Sequence, residues 1–168
     1  MTLVVVIIGV IAALVYPRLD SIMPKQALRA AGSEVAGVVA HARAQARLTR
    51  QDIDLLYDID GNAMVIEVPG PPLDSLGVRR GEPEVLMRRA MPQGVKIARV
   101  YYAESMMAQS GGAVATFRPS GTVGEHMVEL ENTDGDRMSI FVPAMSGSPF
   151  VVEEGYTYAQ VRAERRYK

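Results

Sequence analysis

The side chains that most often carry catalysis are few in this sequence. Of 168 residues only two are histidine, His41 and His126, and none is cysteine. No carboxylate–hydroxyl pattern links the two histidines, and a lone histidine is more often structural or solvated than catalytic. Without cysteine there are no disulfides, thiolate metal sites or cysteine nucleophiles. The HExxH, GxSxG, Walker A and dinucleotide-binding patterns are also absent, so we expect no enzyme and no cofactor.

Two acidic segments could bind a metal ion on first inspection. Asp58-Ile59-Asp60-Gly61-Asn62 resembles the start of a calcium loop, but Ala63 stands where such a loop needs glycine and Pro69 where it needs a bidentate glutamate. The same residues favour a tight hairpin turn. Asp134-Gly135-Asp136 is likewise a turn signal before it is a ligand set. We expect turns and no metal site.

The C-terminal segment VRAERRYK could bind an anionic polymer. Its four cations are Arg162, Arg165, Arg166 and Lys168, and Tyr167 adds one aromatic ring. Flexible cations suffice for phosphate contacts, which weaken steeply with salt. A basic tail is also common as a solubilising end, and the acidic residues before it would repel a long duplex. The four cations are therefore candidate DNA contacts under an alternative interpretation.

Charge divides the chain into a basic helix, an acidic region and a basic end. Residues 25–50 contain five basic side chains and one acidic, whereas residues 51–161 contain eight basic and sixteen acidic. This division suggests charge-complementary packing between copies or partners. Two solvated surfaces explain it equally well.

An uncharged apolar segment, residues 1–16, opens the chain. No Lys or Arg precedes it and no A-x-A site follows it, so it does not match a secretory signal. Sixteen helical residues cover roughly 24 Å, short of a hydrocarbon core of about 30 Å. We interpret the segment as a membrane helix that lacks its first turn or two; a buried core helix is the alternative. Pro17 and Pro24 interrupt the helical pattern after it.

Beyond Pro24 the sequence predicts an amphipathic helix over residues 25–50, followed by strands. The apolar stripe of the helix comprises Leu28, Ala31, Val35, Val38, Val39, Ala42 and Ala46. Arg43, Arg47 and Arg50 fall on another face. Strands are predicted over residues 53–59, 64–68, 84–89, 95–102, 114–118, 126–132, 138–142 and 150–153.

The expected fold class is α+β, with one long N-terminal helix packed on an antiparallel, meander-like sheet. We divide the chain into an apolar helix and kink (1–24) and a head (25–168), which contains the amphipathic helix (25–50), the sheet region (51–153) and a basic tail (154–168). Met106 and Met107 fall in a predicted loop. We expect a flexible connection there with both side chains folded inward; an exposed contact surface is the alternative.

Several sequence blocks resemble one superfamily. IIGVIAALVYPRL (residues 7–19) resembles the N-terminal helix of type IV pilins and type II secretion pseudopilins. Residues 28–67, an Ala/Arg-rich helix leading into a hairpin, resemble the minor pseudopilin H family and the FimT-like minor pilins. The turns at residues 91–95 and 117–121, and Val128-Glu129-Leu130 followed by Asp134-Gly135, are similar to the later strands and turns of that family.

The resemblance implies a structural subunit of a secretion pseudopilus. It implies an inner-membrane, single-pass anchor, a periplasmic head, and major and minor pseudopilins, the inner-membrane assembly platform and the prepilin peptidase as partners. The residues it assigns to the membrane and filament core are Leu3, Val6, Ile7, Gly9, Val10, Leu14 and Pro17. Family members carry a leader and a glutamate near the processed, methylated N-terminus. Alignment through Gly9 and Pro17 places that glutamate just before Met1, so we expect this chain to begin about five residues inside the mature protein.

Two alternatives remain open at this stage. A FimT-like minor pilin would bind DNA for uptake through the basic tail. A simple membrane-anchored periplasmic domain would undergo no leader processing and would have no pilin-like partners.

Overall fold

A 27-residue helix, α1 (Met23–Thr49), begins the part of the chain that the computed structural model describes, which comprises residues 23–70, 81–103, 106–145, 148–152 and 158–165. Alanine, leucine and arginine are strong helix formers and supply much of α1. The helix ends at Thr49, whose hydroxyl donates a 2.9 Å hydrogen bond to the Gln45 carbonyl. Arg50 follows in the left-handed region, with φ of 56°, the usual conformation of a residue just after a helix.

Nine strands follow in the described residues. They are β1 (Ile53–Asp58), β2 (Ala63–Val68), β3 (Glu84–Ala90), β4 (Val95–Ala103), β5 (Met106–Ala108), β6 (Gly112–Phe117), β7 (His126–Asn132), β8 (Arg137–Val142) and β9 (Phe150–Val152). The eight predicted strands are confirmed, with bounds that differ by two residues at most. The ninth, β5, falls where we predicted a loop.

The strands form two antiparallel sheets instead of the single meander that we expected. The first sheet has the order β3-β2-β1-β6 and the second β5-β4-β7-β8-β9. The difference arises at β6, which returns to pair with β1 so that Ile53 lies opposite Phe117. Strand β4 does not continue the first sheet beside β3 and instead pairs with β7 in the second sheet, with Val95 opposite Asn132. The predicted α+β class, a helix on an antiparallel sheet head, is confirmed.

One hydrophobic core joins α1 to both sheets. The predicted stripe residues of the helix are all buried in it: Leu28, Ala31, Val35, Val38, Val39, Ala42 and Ala46. The first sheet contributes Ile53, Leu55 and Phe117, and the second contributes Val128 and Leu130 among others. Alternation along β1 (buried at 53, 55 and 57) directs one face of the strand to the helix.

A second, short helix, α2 (Tyr158–Arg165), lies within the segment that we treated as a basic tail. Tyr158 and Val161 are buried in a small cluster with Met127, Phe141 and Val152, on the face of the second sheet opposite α1. The sequence signal was weak because only two apolar residues anchor the helix. The second sheet therefore carries a helix on each face.

Several predictions concern residues outside the described part of the chain. The candidate membrane and filament-core residues 3–17, much of the predicted loop 69–83, and the cations Arg166 and Lys168 lie there. The division into residues 1–24 and 25–168 stays a prediction. Neither described helix combines the length and apolarity that a bilayer crossing requires.

Candidate functional site

Helix α1 approaches the second sheet closely at Gly32. A Cβ atom at this position would lie 2.8 Å from the Met138 sulfur, so a larger residue would require that side chain to move. Val35 and Val39 continue the contact along the same helix face, and both are fully buried. The helix thus lies directly against β8, and this contact fixes the position of α1 on the second sheet.

We predicted that Arg43 falls with Arg47 and Arg50 on a helix face away from the apolar stripe, but Arg43 is buried. It follows Ala42, about 100° around the helix, and this places it at the edge of the apolar stripe. Its Nη2 donates a 3.1 Å hydrogen bond to the Pro143 carbonyl, and its guanidinium lies 5.8 Å from the centre of the Phe117 ring. Burial, followed by the nearby charge of Arg47, lowers the pKa of Arg43.

A buried pair, Tyr57 and His126, links the two sheets. Tyr57 is in β1 of the first sheet and His126 begins β7 of the second, and their side chains meet at 2.9 Å. The other ring nitrogen, Nδ1, lies 2.7 Å from the Gly124 carbonyl. Since a carbonyl only accepts, Nδ1 carries the proton and Nε2 accepts from the Tyr57 hydroxyl. This is the structural role that a lone histidine most often has, whereas His41 is exposed.

Burial holds His126 in its neutral form. Desolvation is the main cause that lowers the pKa of His126 to about 4, with the charge of Arg43 adding to it and the Gly124 carbonyl opposing it. Desolvation also raises the pKa of the Tyr57 hydroxyl well above its ordinary value. Both groups therefore remain uncharged at neutral pH. The pair acts as a hydrogen-bonded connection between the sheets.

Asn62 forms a second polar link between the sheets. Its Nδ2 donates to the Val95 carbonyl at 2.8 Å, and its Oδ1 accepts from the Ile97 amide at 3.0 Å. Asn62 has a positive φ of 46°, which asparagine tolerates better than most residues. The hairpin turn after β1 is thereby fastened to β4. The sequence identified this turn, but it gave no sign of the partner.

The acidic turns serve the fold in the way we predicted. The Gly61 amide donates to one Asp58 oxygen at 2.8 Å, and Arg88 pairs with the other at 3.0 Å. Asp60 accepts from the Gly111 amide at 2.9 Å. In the second turn, Asn132 accepts from the amides of Asp134 and Asp136. Within the described part of the chain, no three His, Asp or Glu residues are grouped as metal ligands would be.

Ion pairs cover part of the outer face of the second sheet. Glu129 is buried and lies 3.3 Å from Arg137 and 3.8 Å from Arg99. Glu131 pairs with Lys96 at 2.8 Å and with Arg137 at 3.0 Å, and the hydrogen bond from Lys96 is the main cause that lowers its pKa. Because the cations are about half exposed, each pair contributes little to stability on its own. Together they make the surface of this face polar beside α2.

Met106 and Met107 are exposed, contrary to our expectation that they fold inward. They form most of β5, an edge strand that pairs with β4, and their side chains are 63% and 51% exposed. The β4–β5 register shifts between Tyr101 and Ala103. Strand β5 is only three residues long, so it gives little alternation for the sequence to show. Methionine adapts to irregular partner surfaces, so this edge is a candidate contact surface.

The candidate DNA-binding cations are divided by the structure. Arg162 and Arg165 belong to α2, whereas Arg166 and Lys168 lie outside the described residues. Helix α2 is anchored by Tyr158, whose hydroxyl donates toward the Tyr102 and Glu125 carbonyls at 3.2 and 3.3 Å. Part of the basic segment therefore belongs to the folded head.

No protein-family model and no curated protein sequence matches this chain. Among solved structures, two of the minor pseudopilin EpsH from the type II secretion system of Vibrio cholerae are similar to it. One has a TM-score of 0.50 at 12% identity and covers 77% of this chain and 98% of the EpsH chain. The other has a TM-score of 0.53 at 13% identity and covers 80% and 99%. The chain has a pseudopilin fold.

The contacts described above hold the helix and the two sheets of this fold together. The helix α1 lies against both sheets, and the polar links at Tyr57–His126 and Asn62 hold the sheets to each other. Sequence reasoning found the helix stripe and the turns. It did not find Arg43, Tyr57 or Asn62 as linking residues, because their partners are distant in sequence and only the pairing of the strands brings them together.

Proposed function

We propose that this chain is a minor pseudopilin, a non-enzymatic structural subunit of a type II secretion pseudopilus that assists protein export across the outer membrane. The observation that carries the proposal is the pseudopilin fold, which accounts for nearly the whole EpsH chain, 98–99% of it. The buried and half-buried polar groups of the head also support a structural role. Tyr57, His126 and Asn62 are engaged with each other or with the backbone, and this leaves them to stabilise the head.

The apolar segment before the head supports a membrane setting for this role. Residues 1–16 carry no charge, and the residues we assign to the membrane and filament core lie between positions 3 and 17. In the proposed setting this segment anchors the subunit in the inner membrane and then packs among the equivalent segments of other pseudopilins. The head lies in the periplasm. The assembly platform and the prepilin peptidase act on the full-length precursor.

Deletion and complementation in the native host would test the proposal. We expect deletion of the gene to abolish the appearance of the system's secreted proteins in the medium, and the full-length chain to restore it. Two adjacent positions on α1 give a matched pair of variants, because Val39 is fully buried and Ala40 is exposed. Val39→Asp places a charge in the core and should fail to restore secretion, whereas Ala40→Asp should restore it. Unchanged secretion after deletion would contradict the proposal.

The basic C-terminal segment supports one other candidate, a minor pilin that binds DNA for uptake. Four cations fall within residues 162–168, and α2 attaches the first of these positions to the head. This candidate predicts that the full chain retards duplex DNA at low salt and that Arg162→Ala, Arg165→Ala and Arg166→Ala together remove the effect. Absence of any retardation at low salt would eliminate it.

A further inference from the structure

Strand β9 forms an edge of the second sheet and lies between the two helices of the head. It pairs with β8, so that Val151 is opposite Ile140, and no further described strand lies beside it. Ile140 belongs to the core beneath α1, whereas Val152 packs with α2 on the opposite face. We call β9 together with residues 23–33, the first turns of α1, the β9 surface.

A groove separates α1 from β9 on this surface. Its volume is about 340 Å³, and its lining includes Gly32 and Ala36 of α1 together with the apolar side chains of Met138, Ile140 and Val151. Gly32 and Ala36 carry at most a methyl group, so the helix fills little of the groove, and Val151 is 56% exposed. None of the described residues that line the groove is acidic. The β9 surface therefore presents apolar atoms to a partner.

Two cations lie beside the groove on α1. Lys25 and Arg29 are four residues apart and therefore lie on the same side of the helix. Both are exposed, and Arg29 lines the groove. Among the described residues no salt bridge reaches either of them. Every basic residue of the described strands, in contrast, pairs with a carboxylate of the same chain: Arg88, Arg89, Lys96, Arg99 and Arg137. The two helix cations thus remain available to an anionic partner.

The charge near the β9 surface is positive on balance. Residues 23–33 and 149–168 contain six basic side chains against three acidic ones, Glu153, Glu154 and Glu164. Two of the basic residues, Arg162 and Arg165, belong to α2 on the other face of the sheet. The edge of the sheet at β9 therefore lies between two basic helix segments.

The β9 surface also lies near the segment that we assign to the membrane. Nine residue steps separate Tyr16, the last residue of the uncharged apolar segment, from Lys25, so these two residues lie within about 32 Å of each other. Arg47 is on the same side of α1 as Lys25, but it lies about 33 Å further along the helix. In the proposed setting, the beginning of α1 is therefore the end of the helix that the anchor holds closest to the bilayer.

We propose that the β9 surface binds the surface of a phospholipid bilayer that contains anionic lipids. Lys25 and Arg29 meet the headgroup phosphates, and Val151 and the groove face the boundary with the acyl chains. Surfaces that combine cations with apolar side chains bind anionic bilayers in this way, and salt weakens the contact. The inference deepens the proposed function and rests on it, since the membrane anchor that brings the head to the bilayer belongs to that proposal.

Fluorescence quenching in vesicles tests the contact, because a chain without cysteine can be labelled at one chosen position. Val151→Cys places a fluorophore on the β9 surface, and Leu48→Cys places one at the other end of α1; both positions are exposed. The full chain is reconstituted in phosphatidylcholine vesicles that contain a lipid with a nitroxide quencher on its headgroup, with or without phosphatidylglycerol. We expect quenching at position 151 only with phosphatidylglycerol, and little quenching at position 48 in either kind of vesicle.

Removal of the two cations separates a specific contact from mere proximity to the bilayer. Lys25→Gln with Arg29→Gln should lower the ratio of quenched to unquenched label at position 151 by on the order of tenfold. The matched control, Arg47→Gln with Arg50→Gln, removes the same charge at the other end of α1 and should leave the ratio unchanged. Circular dichroism should show both variants folded, since all four side chains are exposed. Quenching at position 151 without phosphatidylglycerol, equal quenching at position 48, or an equal loss in the control would overturn the inference.

Flotation of the same vesicles separates this inference from the proposed function. A chain that does not float with the vesicles contradicts the proposed membrane anchor and, with it, the lipid contact. A chain that floats but shows no quenching at position 151 removes only the lipid contact and leaves the proposed function standing.

Discussion

The two sheets of the head differ in what covers the face that points away from α1. On the second sheet, α2 covers Phe141, and ion pairs around Glu129 cover the neighbouring strands. On the first sheet, Val85 and Val114 remain exposed by 58% and 45%. Both sheets nevertheless share the core beneath α1. The second sheet is therefore covered on both faces, by α1 on one side and by α2 and the ion pairs on the other. The first sheet is stabilised by α1 and by its polar links to the second sheet.

The largest expected effect comes from the core that both sheets share. Phe117 is fully buried below Arg43 and opposite Ile53. Phe117→Ala should reduce the free energy of unfolding by about 3–5 kcal/mol, because it removes a large buried ring and leaves a cavity. Urea denaturation followed by circular dichroism would measure this loss.

A substitution on the outer face of the second sheet, Tyr158→Ala, can be compared with Phe117→Ala in the shared core. Tyr158 lies 6.0 Å from the Phe141 ring and attaches α2 to the second sheet. Tyr158→Ala should cost less than Phe117→Ala and should expose α2 to proteolysis while the rest of the head stays resistant. Equal losses for the two variants would show that the shared core and the outer cluster are not distinct.

Acid should weaken the connection between the sheets at His126. The imidazole binds a proton below about pH 6.5 when unfolded but only below about pH 4 when folded. Between these values the unfolded state holds more protons, so stability falls as the pH falls. The contribution is fully present above pH 6.5 and is lost below pH 4, on the order of 3 kcal/mol.

Denaturation in urea across this pH range would measure the change. The control is Tyr57→Phe combined with His126→Leu, which removes the titrating group and leaves no hydroxyl unpaired. The control variant should lose the slope between about pH 4 and 6.5, whereas carboxylates paired with cations, such as Glu131, still contribute at lower pH. The same slope in the control would rule out His126 as its source.

The link at Asn62 should have a smaller effect. Asn62→Ala removes the hydrogen bonds to Val95 and Ile97 and places alanine at a positive φ, so we expect a loss of about 2 kcal/mol. Asn62→Asp retains an acceptor for the Ile97 amide and should lose less. Thermal unfolding of the two variants would compare them, and equal melting temperatures would show that the Ile97 bond contributes nothing.

The smallest effect is expected at the edge of the second sheet. Met106→Ser and Met107→Ser alter exposed side chains, so stability should change by less than about 0.5 kcal/mol. If this edge is a contact surface, the same variants should weaken association with partner subunits. A large loss of stability would instead show that β5 belongs to the folding core.

The sequence predicted local features well and long-range contacts poorly. The stripe from Leu28 to Ala46 follows from helical spacing, and the strands follow from alternation and turn residues, because both signals are local. The return of β6 to β1 is a long-range choice that no local pattern encodes. The same holds for Tyr57 and His126, which lie 69 positions apart. We grouped Arg43 with Arg47 and Arg50 because of their spacing, whereas Arg43 also lies at the edge of the apolar stripe and is buried there.

In-cell photo-cross-linking of the full chain in its native host tests the central claim most directly. A photoreactive amino acid at Met107, Val114 or Leu48 samples both sheets and the C-terminal end of α1, and all three positions are exposed. If the chain is a pseudopilin, mass spectrometry of the cross-linked products should identify other pilin-like subunits. Products that contain only unrelated proteins, or none at any of the three positions, would contradict the account.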